Sequence, residues 1–170
     1  DLNFGCSVAA ICKKGSGAAL LKNPELSSKI VRNVRQAVSI PLFVKFRTGW
    51  ENSPDFAVDM ARRFEDAGAD ALTFHPRVAP DRRSRPPQWD IITKVASVVE
   101  IPVFGNGNLF EAKDGLKMLE ETKCQGLSIG RMAVARPWLF AQWAENFSPE
   151  NDIYYNSAMR FAHILSRHYD

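Results

Sequence analysis

The sequence predicts an α/β chain made of consecutive units of a parallel TIM-type (β/α)8 barrel, and three observations carry that prediction. Short apolar runs alternate with longer stretches at helical periodicity, which implies a parallel sheet with right-handed crossovers. Each apolar run ends in a polar cluster, near residues 6, 47, 77, 107 and 131. The later clusters lie about 30, 30 and 24 residues apart, close to one strand-plus-helix unit of a barrel of ~250 residues. A doubly wound open sheet is the alternative. The barrel is favoured because every run ends in a polar cluster. In addition, the last two ends are rich in glycine (Gly105-Asn106-Gly107 and Gly130-Arg131), as in the phosphate sites after strands seven and eight of such barrels. Five units cannot close a barrel. Residues 1–147 are therefore expected to be its C-terminal five βα units, with three units upstream, and residues 148–170 the start of a helical appendage.

In order, Leu2-Asn3-Phe4-Gly5 reads as a short strand that delivers Cys6 to the open end of a sheet. A loop with two lysines and two glycines follows, then the apolar run Ala18 to Leu21. Asn23-Pro24-Glu25 is a helix start, with an N-cap, a first-turn proline and an acid at the positive end of the dipole. Ile30, Val31, Val34 and Val38 recur at helical spacing. Leu42-Phe43-Val44 is a continuous apolar run suited to a strand covered on both faces. It ends in Lys45-Phe46-Arg47, and Thr48-Gly49 turns the chain. Ser53-Pro54 opens a second helix with the inner stripe Ala57, Met60, Ala61 and Phe64, stopped by Gly68. Ala71 to Phe74 is the next strand, ending in His75-Pro76-Arg77. Trp89 to Val98 is helical, Ile101 to Phe104 a strand, Ala112 to Leu119 helical and Gly126 to Ile129 the last strand, with Pro137-Trp138 in the helix after it. Tyr154, Ala158, Phe161, Ala162 and Leu165 form the stripe of a final helix.

Composition narrows the function classes. The chain is 45% hydrophobic and 24% charged, ordinary for a globular domain. No apolar run approaches the ~18 residues of a membrane span. Three scattered cysteines, Cys6, Cys12 and Cys124, do not form a disulfide framework and suit a reducing cytoplasm. Neither Cys12 nor Cys124 has the spacing of a metal site, and both are expected to be structural. A net charge of +3 is too small to declare a nucleic-acid partner. The cluster Arg77, Arg82, Arg83 and Arg85 fits tRNA phosphates or an ordinary solvated loop.

Several residues invite a chemical reading. Cys6 stands at a strand end, where it is equally a nucleophile or acid and a buried structural thiol. Lys45 and Arg47 lie two apart on a strand and point the same way, so they need anionic or carbonyl partners unless they are solvated. A lone His75 is by itself more often a satisfied core residue. Asn106, Gly107, Gly130 and Arg131 suit a phosphate: glycines admit backbone N–H groups, and Arg131 adds a forked donor.

Asn3-Phe4-Gly5-Cys6, Gly17-Ala18-Ala19-Leu20-Leu21, Lys45-Phe46-Arg47-Thr48-Gly49, His75-Pro76-Arg77, Gly105-Asn106-Gly107 and Ile129-Gly130-Arg131 together resemble the tRNA-dihydrouridine synthases. The resemblance covers nearly the whole chain and implies an FMN-dependent barrel enzyme with a C-terminal helical domain. It implies reduction of the C5–C6 double bond of a tRNA uridine, with NADPH recharging the flavin. By resemblance Cys6 is the general acid that protonates C5, and such an acid is worth ~10²–10⁴ in rate. Lys45 and His75 would meet the flavin ring, and Asn106, Gly107, Asn108, Gly130 and Arg131 its phosphate end. Asn3, Arg47 and Arg77 would contact the substrate, although Asn3 also reads as a strand-end cap. No metal or membrane partner is implied, and the oligomeric state stays open.

Several positions depart from the family pattern. Ser7 stands for the usual proline after the cysteine. Ala9 and Ala10 stand for basic or polar residues, Cys12 for a polar one, and Asn108 for the usual aspartate. These changes leave flavin binding intact but weaken the expectation that the cysteine loop engages RNA. The competing readings are an FMN barrel reductase of a free small molecule, resembling dihydroorotate dehydrogenase, and a non-catalytic flavin- or RNA-binding relative.

Overall fold

A computed structural model describes residues 1–79, 81, 85–145 and 150–168. Arg82 and Arg83 of the arginine cluster, and the expected boundary at 147–148, lie outside the described residues. Strands β1 (Leu2–Asn3), β2 (Phe43–Gly49), β3 (Ala71–Val78), β4 (Val103–Asn106) and β5 (Gly126–Ser128) form one parallel sheet in the order β1-β2-β3-β4-β5. Doubly wound sheets reverse their strand order at a switch point; this order has none, so the barrel-type α/β fold holds. The helices are α1 (Ala9–Cys12), α2 (Pro24–Ala37), α3 (Pro54–Asp66), α4 (Trp89–Ala96), α5 (Ala112–Thr122), α6 (Arg131–Ala135), α7 (Leu139–Glu145) and α8 (Asn151–His168). From α2 to α5 each packs on the next.

The helix starts follow from their caps. The Asn23 side chain accepts the Leu26 N–H at 3.0 Å, and Ser53 accepts that of Phe56 at 3.3 Å. Each is followed by proline at the first helical position.

Alternate residues of a strand face opposite sides of the sheet. Val44, Phe46, Leu72, Phe74 and Val103 are fully buried beneath the helices. The opposite set, in register across the strands, includes Lys45, Arg47, Thr73, His75, Phe104 and Asn106. The expected apolar run at Leu42-Phe43-Val44 is therefore covered on one face only: Phe43 is 40% exposed between two buried neighbours. Helices α3, α4 and α5 pack on the other side, and this cover directs the polar residues to one concave face.

Local differences from the sequence reading have physical causes. Strand β3 runs through Val78, so His75 and Arg77 lie within it rather than after it. Pro76 is tolerated there because the β2–β3 ladder has a bulge between Arg47 and Gly49, which requires no N–H from it. Pro137 and Trp138 fall in a turn between α6 and α7 instead of in one helix. Proline lacks the N–H, and Arg136 before it is held out of the helical region at φ −138°. Strand β4 starts two residues later than expected. The one-turn α1 and the 3₁₀ helix Gly17–Lys22 were not foreseen; both are too short to leave a periodic signal.

The core is an aromatic chain under α3. Phe64 sits 5.0 Å from Phe4 and 5.3 Å from Phe46, and Phe46 lies 4.8 Å from Phe74. These four rings join β1, β2 and β3 to one helix, so Phe64→Ala removes the shared contact. The expected loss is about 3–5 kcal/mol, read as a lower midpoint in urea unfolding of the protein. An unchanged midpoint contradicts the packing described.

Candidate active site

The C-terminal ends of β2 to β5 and the loop after β1 enclose a cleft of about 750 Å³. It brings together Cys6, Arg47, His75, Arg77, Asn106, Gly107, Asn108, Gly130 and Arg131, residues spread over most of the sequence. Asn3 and Lys45 do not line it. They pair across β1 and β2, deeper along the sheet. The Asn3 Oδ1 accepts the Gly5 N–H at 2.9 Å, a local cap of the strand end.

The position of Cys6 is fixed through its backbone. Its carbonyl accepts the Ala18 N–H at 2.8 Å, and Gly17 packs directly on it. A Cβ on Gly17, whose φ is +61°, would lie 2.6 Å from the Cys6 carbonyl oxygen and 2.9 Å from the Cys6 Cβ. Only glycine meets both demands. Behind this turn the Trp50 indole donates to the Ala18 carbonyl at 2.7 Å, and the Lys22 ammonium sits 3.9 Å from the Trp50 ring centroid. Trp50 thus ties the cysteine loop to the end of β2. Sequence reasoning passed over it, although its place directly after Thr48-Gly49 was the available signal. Cys124, expected to be structural, is buried, with its Sγ donating to the Gly126 carbonyl at 3.3 Å. Cys12 is instead half-buried beside Cys6.

The wall opposite Cys6 is cationic. Arg47 is only 9% exposed. Its Nη1 donates to the Val78 carbonyl at 3.0 Å, and its buried Nε has no hydrogen-bond partner. Burial, and then Arg77, lower its pKa, although the sulfurs of Cys6 and Cys12 and the Asp81 carboxylate oppose them. Lys45 is also lowered, by burial first and by Arg47 second. His75 is pushed down to about 3, mainly by burial and further by Arg47, Lys45, Arg77 and Arg131. A neutral imidazole therefore stands among four cations. Asp81 is the one carboxylate among the lining residues.

At the end of β4 the chain takes two left-handed residues in succession, Gly107 at φ +127° and Asn108 at φ +55°. Asparagine tolerates that region better than most residues. A Cβ on Gly107 would lie 3.0 Å from Pro87 and 3.2 Å from His75, so glycine lets the loop close over the histidine. The Trp89 indole holds the Gly107 carbonyl at 3.1 Å. Asn106 Nδ2 donates to the Ser128 carbonyl of β5. Asn108 Oδ1 accepts from Arg77 at 3.2 Å and from Arg131 at 3.5 Å, so one neutral oxygen joins two arginines of the wall. Arg131 also lies 5.6 Å over the Phe110 ring. The cleft is completed by Val8, Ala9, Ala10, Leu109, Phe110 and Met132, an apolar lining that the search for polar motifs did not pick out.

Unfolded chains take up a histidine proton near pH 6.5, whereas this folded chain takes it up at His75 only near 3. The unfolded state therefore binds more protons between these values, and His75 lowers stability progressively as pH falls from 6.5 toward 3. The His75 ring resonances should stay at their neutral positions down to pH 5. His75→Gln should flatten the pH dependence of stability in that window. An imidazole that titrates near 6.5 overturns this account of the cation cluster.

The dihydrouridine synthase family matches the chain over residues 1–170. The chain is similar to the tRNA-dihydrouridine synthase B of Pseudomonas putida, 37% identical over 142 residues that cover 84% of this chain and 42% of that protein. It is also similar to a probable tRNA-dihydrouridine synthase of Mycobacterium tuberculosis, 39% identical over 152 residues, covering 87% and 39%. The chain thus spans about two fifths of the length of these relatives. Among solved structures, phosphonopyruvate hydrolase in complex with oxalate and Mg++ matches with a TM-score of 0.61 at 15% identity, over 86% of this chain and 56% of that one. TcOYE with pHBA matches with a TM-score of 0.56 at 14% identity, over 79% and 37%. At such identities the two structures speak for the barrel fold alone. The family match over the full 170 residues, with relatives approaching 40% identity, shows that the chain belongs to the dihydrouridine synthase family.

Proposed function

We propose that the protein carrying this chain binds FMN in the cleft and reduces the C5–C6 double bond of a tRNA uridine to dihydrouridine, with NADPH as reductant. The observation that carries this reading is the juxtaposition of the half-buried Cys6 thiol with a wall of cations and a neutral histidine in one cleft. Its donors fit the group. Arg47 holds a buried Nε without a partner, Arg131 stands exposed at the rim, and nothing lies within 4 Å of where a Cβ on Gly130 would be. The volume is also that of a ligand pocket, commonly ~300–1,000 Å³. His75, which lines the cleft, and Lys45, deeper along the sheet, would hold the ring end of the flavin. Asn106, Gly107, Asn108, Gly130 and Arg131 would hold its phosphate.

FMN held there would supply the hydride that C6 of the base receives. The side chains do the rest. Cys6 holds a proton on Sγ at the cleft wall and passes it to C5, where negative charge develops. Arg47, anchored by the Val78 carbonyl, presents its remaining N–H groups to the base, and Arg77 backs it. Asn3 is assigned to the uridine as well. His75, kept neutral, hydrogen-bonds without adding a fifth positive charge. The helix α8, whose described residues are mostly exposed and include Arg160 and Arg167, would begin an RNA-binding appendage. Three unpaired cysteines support a reducing compartment such as the cytoplasm.

A second reading, reduction of a free pyrimidine-like molecule, draws on the cysteine loop. Val8 there is 59% exposed, and Ala9 and Ala10 line the cleft without charge. Single-turnover kinetics with prereduced full-length enzyme separates the two: dihydrouridine should form in an unmodified tRNA transcript and not in free uridine. Product from the free nucleoside alone establishes the second reading.

Two substitutions test the assignments. Cys6→Ala should bind flavin and accept electrons from NADPH normally, while turnover falls by roughly 10²–10⁴. Cys6→Ser should recover little, because a hydroxyl is a far weaker acid. Turnover by Cys6→Ala near the unmodified rate removes Cys6 from the mechanism. Arg131→Ala should weaken FMN retention, read from flavin absorbance after dialysis; unchanged retention overturns the phosphate assignment.

A further inference from the structure

We propose that Cys12 is a resolving thiol for Cys6, and that peroxide joins the two in a reversible disulfide at the cleft mouth. The Cys12 Sγ lies 3.5 Å from the carbonyl oxygen of Cys6, six residues away. Both cysteines are free and half-buried, whereas Cys124 is buried in the core with its thiol directed at the Gly126 carbonyl. Cys12 is thus the cysteine that stands within reach of Cys6.

The backbone favours closure. Disulfides need Cα atoms within ~7 Å of each other, and the Cys12 Sγ already lies 3.5 Å from a backbone atom of Cys6. Cys6 is held by the Ala18 N–H and by Gly17. Cys12 ends α1, a single turn with no buried residue and no side-chain cap. Adjustment therefore falls on α1, which has no buried residue to displace. Arg47 interacts electrostatically with both sulfurs, and both thiols are partly exposed.

The chemistry balances with a peroxide as oxidant. One thiolate attacks the peroxide, the O–O bond breaks, an alcohol or water leaves, and that sulfur becomes a sulfenic acid. The second thiolate attacks the sulfenic sulfur, the S–S bond forms, and hydroxide leaves and is protonated to water. Two thiols and one peroxide thus give one disulfide, one water and one alcohol (a second water when the oxidant is hydrogen peroxide). A dithiol reductant reverses the reaction by exchange. Without Cys12 the sulfenic acid at Cys6 has no resolving partner and proceeds to the irreversible sulfinic acid. The consequence for catalysis rests on the proposed role of Cys6 as proton donor: the disulfide removes that proton, while the bond itself does not depend on that role.

The experiment treats the reduced full-length protein with hydrogen peroxide, alkylates it, and maps its peptides by mass spectrometry alongside dihydrouridine formation on tRNA. The peptide that carries both Cys6 and Cys12 should accumulate in a form lighter by the two thiol hydrogens and closed to alkylation, activity should fall by roughly 10²–10⁴, and dithiothreitol should restore both. Cys12→Ser should retain basal activity, and after peroxide it should carry Cys6 as sulfinic acid with activity that dithiothreitol does not recover. Cys12→Ala serves as a second variant. Equal rates of Cys6 sulfinic acid in the wild type and in either variant overturn the proposal, as does a disulfide from Cys6 to Cys124. A linked Cys6–Cys12 peptide in a protein that never reduces tRNA supports the disulfide and rejects the activity.

Discussion

Everything at the cleft follows from placing several positive charges close together in partly buried positions. Like charges repel, and desolvation adds to the cost. Among the described residues, Arg47 donates to one carbonyl, Asn108 lends a neutral oxygen to two arginines, and Asp81 is the one acid that lines the cleft. The compensation comes from the other side of the sheet, where the buried rings of Phe4, Phe46, Phe64 and Phe74 join three strands to α3. The sheet is therefore asymmetric in energy as well as in composition. Its helix-covered face stabilises, and its concave face carries unfavourable electrostatics that an anion would relieve.

This asymmetry explains which features were legible in the sequence. Helices α2 and α3 announce themselves through Asn23-Pro24 and Ser53-Pro54 and through apolar stripes that the structure buries completely at Val31, Met60 and Phe64. The strands could be found because their outer residues must be apolar. The cleft could be found because polar residues recur where each strand stops, and parallel strands in sequential order bring those stops to one edge. What stayed hidden depends on tertiary contact. Trp50 carries no motif and Trp89 marks only a helix start, yet each donates one hydrogen bond that fixes a loop of the cleft. The contact of the Cys12 thiol with the Cys6 carbonyl was hidden too, because nothing in a linear sequence says that a one-turn helix brings them together. Asn3 and Lys45, themselves motif residues, lie deeper along the sheet than the cleft lining because strand register, not proximity in sequence, decides depth.

Position 108 shows how one residue can serve backbone and charge together. The φ of +55° there favours asparagine or aspartate over most side chains. Both would place an oxygen between Arg77 and Arg131, but only aspartate would cancel one of their charges. With Asn108 the two guanidiniums are oriented without being neutralised, and they remain among the charges that hold His75 in its neutral form. The same neutral residue thus preserves the cation wall and the uncharged imidazole within it. An anion entering the cleft would offset the field of those cations, so the pKa of His75 should rise when one binds. The histidine thereby becomes an internal reporter of occupancy, set by the same residues that would hold the ligand.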